Sequence, residues 1–369
     1  MMKHRSAGSS STIRDGDAAR RRQLPTLGRS HPTRFASGTW LAARSTWQSL
    51  ARLLACVLAI SAPGATMAQS SYPERPIHLV VPYPPGALTD LLARAIGERL
   101  GAALKQPVIV ENKPGAGTLV GAEFVAKQPA DGYTLLMATS TTLGISPALY
   151  QPSPINPVKD FAPISQVGPV NFFLIANPQF PAKNVREMID AIRRNPGKYN
   201  YASVGNGSPH QLFMESLKTE YGLEIQHVPY KGTPAALTDL LGGAIQVMFA
   251  DATVAVPNIR AGKVIALGTS AAKPTTLLPN VPPIAATVPG FDWQAWQGIV
   301  APAGTAREIV ARLAVELQRI QETQEFKEQL FKFGMEPSAP HSPEQFAATI
   351  AAEQPRWAKA IKDSGAKVD

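Results

Sequence analysis

The 369-residue sequence has a single cysteine, Cys56, set in the apolar run Leu50–Ala62. Removal of that run would leave a mature chain without a thiol. Disulfides and thiol nucleophiles are then excluded, and an oxidising compartment is tolerated. Histidine is also sparse: His78, His210, His227 and His341 are scattered without ligand spacing, so no metal site is expected. Catalytic signatures are missing as well. Ser203 reads Tyr-Ala-Ser-Val-Gly and Ser208 reads Asn-Gly-Ser-Pro-His, and neither is a Gly-x-Ser-x-Gly nucleophile turn. The glycines Gly115, Gly117 and Gly121 have the wrong spacing for a dinucleotide loop. The acid such a loop requires is absent, because the following strand ends in Thr139-Ser140. No cofactor and no enzymatic activity are expected.

Long hydrophobic runs are lacking too. Leu50–Ala62 is interrupted by Arg52 and falls short of the ~20 residues a membrane span needs. Excess charge is confined to one end. The formal net charge is +9, but ten of the 36 Lys and Arg residues and only two of the 27 Asp and Glu residues lie in positions 1–68. The remainder carries 26 basic and 25 acidic residues. A balanced body with a basic leader gives no reason to expect nucleic-acid binding.

Residues 1–68 read as an export signal and leader. A basic, Ser-rich stretch precedes the apolar run, Pro63-Gly64 breaks it, and cleavage is expected after Ala68. A downstream start would account for the long basic region but would require an alternative initiation codon, since no Met lies between Met2 and Met67, so the translation start stays open. Arg21-Arg22 stands far upstream of the apolar run, so the export route, general or twin-arginine, stays open. Too little apolar sequence precedes Cys56 for Leu53-Leu54-Ala55-Cys56 to be read as a lipoprotein box.

What remains alternates strand-like and helix-like segments, the pattern of an α/β fold. Ile77–Tyr83 reads as a strand, Thr89–Leu100 as a helix, Val108–Val110 and Tyr133–Thr139 as strands, and Val170–Ala176 as a strand bounded by Pro169 and Pro178. A second run begins with the helix Val185–Arg194 and continues through the strand Tyr199–Ser203 and the helix Gln211–Tyr221. Trp293–Val300 returns as a strand, and Thr305 to Lys362 is mostly helical. Two similar halves imply two lobes with chain crossings near Gln166–Asn171 and Asp292–Gln297. The expected division is 69–170 with 293–369, and 171–292.

Two loops stand out. Pro84-Pro85-Gly86-Ala87-Leu88-Thr89-Asp90 and Gly205-Asn206-Gly207-Ser208-Pro209-His210 each follow a strand and open a helix. Backbone N–H groups at a helix N-terminus bind anions without a charged side chain. Gly86, Ala87 and Leu88 are expected to offer amides, with a hydroxyl from Thr89 and Asp90 in the first turn. The alternative is a plain strand–helix joint with Thr89 as N-cap. His210 is expected to be a structural hydrogen-bonding residue. Ser140, Thr141 and Thr142 end a strand where hydroxyls could enter a cleft. Asp251 follows a buried-looking strand, where it either accepts a bond from a ligand amine or hydroxyl or caps the next helix.

In order along the chain, Tyr72-Pro73-Glu74-Arg75-Pro76-Ile77, Val81–Asp90, Val110–Gly117, Asp131–Leu136, Pro157–Pro163, Tyr199–Ser208, Val228–Gly232, Leu237–Gly243 and Ala301–Thr305 make the sequence resemble the Bug family of tripartite tricarboxylate receptor proteins. The resemblance spans roughly Tyr72 to Asp369. It implies a two-lobed periplasmic binding protein of type II-like form, monomeric, with two hinge crossovers and a central cleft closing on a small carboxylate. The partner would be the membrane subunits of a tripartite transporter, or a sensor protein. Carried over by position, the ligand-binding residues are Gly86, Ala87, Leu88, Thr89, Asp90, Ser140, Thr142, Ala202, Ser203, Asn206, Gly207 and Ser208, with Asp251 facing the distal end. Ala87-Leu88 and Leu143 depart from the family pattern toward apolar residues, which implies a ligand less polar than citrate. The rival readings are a signalling co-receptor or scaffold of the same fold and a periplasmic hydrolase.

Overall fold

The computed structural model describes residues 72–368. The expected export signal, its cleavage point and Cys56 lie outside the described residues. The chain opens with β1 (Ile77–Val81), α1 (Leu88–Leu104), β2 (Val108–Asn112), α2 (Leu119–Ala126) and β3 (Thr134–Thr139). β1 is Ile-His-Leu-Val-Val with one half-buried position among four buried ones, as a parallel strand covered on both faces should be. Leu92, Ala95, Ile96, Leu100 and Leu104 form the buried stripe of α1 at helical spacing. A π-helical turn (Thr141–Ile145) and α3 (Ser146–Leu149) follow β3.

The strand β4 (Phe161–Val170) then runs into β5 (Phe172–Ala176), with Asn171 between them. After β5 come α4 (Val185–Arg194), β6 (Asn200–Ser203), α5 (Pro209–Tyr221), β7 (Gln226–Pro229), α6 (Thr233–Gly242), β8 (Val247–Asp251), α7 (Ala252–Arg260) and β9 (Ile265–Thr269). The chain closes with β10 (Ala295–Pro302), α8 (Arg307–Glu322), α9 (Gln324–Lys332) and α10 (Pro343–Ser364).

Two five-stranded sheets result, ordered β2-β1-β3-β10-β4 and β7-β6-β8-β5-β9. In each, three parallel strands are joined by an antiparallel one: β10 in the first sheet, β5 in the second. Both antiparallel strands enter from the other lobe. The chain crosses at Asn171 and returns ahead of Ala295, and Val170 pairs with Ala295. The two connections therefore lie side by side, which is the geometry of a hinge. The fold is the two-lobed α/β form of periplasmic binding proteins.

The sequence pattern does not reveal β4. Pro163 and Pro169 lie inside it, and proline normally argues against a strand. β4 is the edge strand of its sheet, where a missing N–H is tolerated. Helix α10 starts with a capping box between Ser342 and Gln345 and packs on both β4 and α5. Trp357 of α10 stacks on Phe213 of α5 at 6.3 Å and meets Trp293 at 5.1 Å. Behind the cleft the lobes thus share one apolar cluster.

Candidate ligand-binding cleft

Between the lobes lies a cavity of about 710 Å³. The first lobe lines it with Tyr83, Pro84, Gly86–Thr89, Thr139–Thr141, Leu149, Tyr150 and Ala295–Gln297. The second contributes Phe172, Val204, Asn206–His210, Lys231–Pro234, Asp251, Thr253 and Val254. This size suits a small organic ligand.

Helix α1 begins on Ala87, whose side chain cannot cap, so the first-turn amides have no side-chain acceptor. Not all of the loop amides are open. Gly86 N–H donates to Asp90 Oδ2 at 2.8 Å, and Ala87 N–H points at Pro84 O at 3.4 Å. Leu88 and Thr89, the first two residues of this uncapped helix, line the cavity. Asp90, expected at the ligand, is turned away. It is 2% exposed and accepts from Asn112 Nδ2 at 2.8 Å and Arg94 Nε at 3.1 Å. Burial acts to raise its pKa, but the bonds from Arg94, Gly86 and Asn112 outweigh that and hold the carboxyl below its usual range.

The second loop is not the mirror image the sequence leads one to expect. Ser203 Oγ accepts from Gly205 N–H at 3.1 Å, Gln211 Oε1 accepts from Gly207 N–H at 2.7 Å, and Gly205 O accepts from Ser208 N–H at 3.3 Å. Ser208 caps α5 by accepting from Gln211 N–H, and Pro209 has no N–H to offer. The turn satisfies itself, so Asn206, Gly207 and Ser208 line the cavity without presenting a row of free amides. Ala202 and Ser203 do not line it. Ala202 is in the core of the second lobe, and Ser203 Oγ lies 2.6 Å from His227 Nε2.

At the end of β3, Ser140 reaches the wall but Thr142 does not. The π-helical turn rotates Thr142 inward, where its N–H and hydroxyl meet Thr139 Oγ1 at 3.1 and 3.0 Å. Thr141 lines the cavity in its place. Leu143 is fully buried in the first lobe and forms no part of the cleft wall, so it cannot make the pocket apolar. Leu88 does line the pocket.

Asp251 sits at the start of α7, lines the cavity and accepts from Thr253 Oγ1 rather than capping the helix. His210 beside it contradicts its structural reading. It is buried, stands edge-on to Phe172 at 5.1 Å, and neither ring nitrogen has a hydrogen-bond partner. Burial pushes its pKa down to about 4, with the Asp251 charge opposing the shift. Gln297 on β10 donates through Nε2 to Thr89 Oγ1 at 3.2 Å, and its Oε1 is unpartnered.

Tyr83, Gln297 and Lys231 were not singled out from the sequence. Lys231 had a legible signal: Tyr230-Lys231-Gly232-Thr233-Pro234 is a third strand-to-helix loop. It opens α6 on Gly232 without a side-chain cap. Among the described residues, no group of three or more His, Cys, Asp or Glu side chains is placed to hold a metal ion.

A family profile described as "Tripartite tricarboxylate transporter family receptor" matches residues 92–366. The protein BugT of Bordetella pertussis is 33% identical over 327 residues, covering 87% of this chain and 99% of its own. A Rhodopseudomonas palustris protein solved with adipate is 32% identical with a TM-score of 0.72, covering 80% of this chain and all of its own. MatC from Rhodopseudomonas palustris, solved with bound malate, is 32% identical with a TM-score of 0.69. It covers 79% of this chain and 100% of its own.

Proposed function

The chain belongs to the family of tripartite tricarboxylate transporter receptors, and from that premise we propose that it is a periplasmic solute receptor without catalytic activity. It holds a small carboxylate between its lobes and delivers it to the membrane subunits of a tripartite transporter. The observation that carries this reading is the uncapped start of α1 at Leu88 and Thr89, opening into an interlobe cavity that also contains Lys231.

The magnitudes bear on how such a site would work. A helix N-terminus contributes about 0.3–1 kcal/mol to an exposed anion, and up to ~2 kcal/mol to a partly buried one. Micromolar affinity needs about −8 kcal/mol. One open helix end is far from sufficient. Charge-assisted hydrogen bonds in a cleft that shuts out water must supply the rest. Closure is then part of the affinity and also the signal to a partner, because a ligand shifts an equilibrium only by its differential affinity.

The test is thermal unfolding against mono-, di- and tricarboxylates, aromatic acids and acidic amino acids. A ligand at about 100 times its dissociation constant adds about 2.7 kcal/mol of stability. A shift confined to one class of acids supports the receptor reading. A cooperative transition that no acid moves, in protein first freed of retained ligand by denaturation, counts against it.

A further inference from the structure

Two side chains beyond the second cleft loop satisfy its glycine amides. Ser203 Oγ takes the Gly205 N–H at 3.1 Å, and Gln211 Oε1 takes the Gly207 N–H at 2.7 Å. Both side chains are buried, and one ring faces both of them. His227, on the edge strand β7, sets Nε2 2.6 Å from Ser203 Oγ and Nδ1 3.4 Å from Gln211 Nε2. The parallel pairing of β6 with β7 puts His227 opposite Tyr201, and the two rings stack at 4.9 Å.

The protons of this relay follow from the donors and acceptors. Gln211 accepts from Gly207 through its oxygen, so its amide nitrogen, a donor, faces the ring. His227 Nδ1 is then the accepting nitrogen, and Nε2 carries the hydrogen. Nε2–H donates to Ser203 Oγ, which leaves the Ser203 hydroxyl hydrogen for Gly205 O at 3.1 Å. The other tautomer would set a ring N–H against the Gln211 amide hydrogens. It would also draw the Ser203 hydrogen away from Gly205 O.

We infer that His227 is a positioning residue of the second lobe. As the Nε2–H tautomer it holds Ser203 and Gln211, and these occupy the Gly205 and Gly207 amides. Asn206, Gly207 and Ser208 thereby meet the cavity in one fixed conformation. His227 does not line the cavity and acts from behind its wall. The inference rests on the receptor reading above and adds to it a residue that touches no ligand.

Imidazole 1H–15N correlation spectra near pH 7 test the tautomer, with the signal assigned by its loss in His227→Phe. A hydrogen on Nε2 and none on Nδ1 is expected. Hydrogen exchange then separates the two arms of the relay. His227→Gln keeps an amide donor near the Nε2 position and loses the Nδ1 acceptor. His227→Asn keeps an acceptor near the Nδ1 position and loses the donor. Gly207 N–H should exchange at least about tenfold faster in the Gln variant, Gly205 N–H in the Asn variant, and both in the Phe variant. The amides of Ala202 and Val228, in the flanking strands, should stay within about threefold of the wild type. A histidine kept only for packing would move all of these amides alike. In titration calorimetry with malate and adipate as probes, the Phe variant should bind at least about fivefold more weakly than the wild type, with the Gln and Asn variants between.

An Nδ1–H or doubly protonated ring overturns the inference. So does exchange at Gly205 and Gly207 that no variant alters, or that every variant raises together with the flanking strands. Probe binding that stays at the wild-type level in the Phe variant overturns it as well. If the Phe variant fails to fold, the wild-type spectrum and the Gln and Asn variants decide. If the wild type binds neither probe, the tautomer and the exchange pattern decide. No response to any carboxylate overturns the receptor reading beneath the inference.

Discussion

Gly207 of the second lobe lies directly against Leu149 of the first: a β-carbon on Gly207 would come 2.2 Å from Leu149 Cδ2. Gly207 also has φ of +72°, a region that costs other residues about 1–2 kcal/mol. Gly207→Ala is therefore expected to do two separable things. Backbone strain lowers the melting temperature, and the methyl group wedges the lobes apart and weakens binding. Adding Leu149→Ala should recover the affinity and leave the strain. A Gly207→Ala protein that binds carboxylates like the wild type would show that this contact does not control closure.

Asp90 is expected to act on stability and not as a ligand contact. Asp90→Asn disturbs the bonds from Gly86, Arg94 and Asn112 at a site that is nearly fully buried, at a cost of about 1–3 kcal/mol. Differential scanning calorimetry should show a fall of a few degrees, with affinity in the folded protein changed by less than about threefold. The opposite pattern, an unchanged melting temperature with lost affinity, would return Asp90 to the binding site.

His210 makes stability depend on pH in a defined window. Its folded-state pKa is near 4 against about 6.5 in the unfolded chain. Between these values the unfolded chain binds a proton that the folded one does not, so stability falls as pH drops from about 6.5 toward about 4. Asp251, the charge acting on the ring, opposes this only partly. Melting temperatures recorded across the window should decline less steeply for His210→Phe. Parallel curves for the two proteins would mean that the ring is not held neutral.

Glu336 ties the hinge together and behaves in the opposite sense. Its carboxylate accepts from Asn171 Nδ2 at 2.6 Å, at the crossing between the lobes, and from Thr275 Oγ1 at 2.8 Å. Thr276 donates to it through both N–H and hydroxyl. Burial acts to raise its pKa, but these bonds outweigh it and hold the carboxyl below the ordinary 4.5. The stabilisation is present above that value and is lost as pH falls through the lower, folded-state pKa. Glu336→Gln should cost about 1–2 kcal/mol at neutral pH, toward the low end because water screens a half-buried group. The deficit should shrink below pH 4.5. A deficit that is the same at pH 7 and pH 3.5 would mean that the charge plays no part.

Much of the architecture is readable before any coordinates. The apolar Ile77–Val81, the stripe of α1 and the Ser342–Gln345 capping box carry their structural meaning in local spacing. The loops at Gly86 and Asn206 are likewise recognisable as strand-to-helix joints, and both do line the cavity. β4 escapes such reading because Pro163 and Pro169 are acceptable only at a sheet edge, and which strand is an edge is a property of the whole sheet.

The sequence alone determined the alternation of strands and helices, the family, and the loops that open onto the cleft, because propensity, capping and turn chemistry act over a few residues. The tertiary structure decided which groups in those loops remain available. Gly86 N–H is taken by Asp90, Gly207 N–H by Gln211, and Thr142 is rotated inward, while both His210 ring nitrogens and Gln297 Oε1 are left without a hydrogen-bond partner. A donor's availability depends on every acceptor within reach. Across a cleft built from two lobes, those acceptors are far apart in the chain and become neighbours only when it folds.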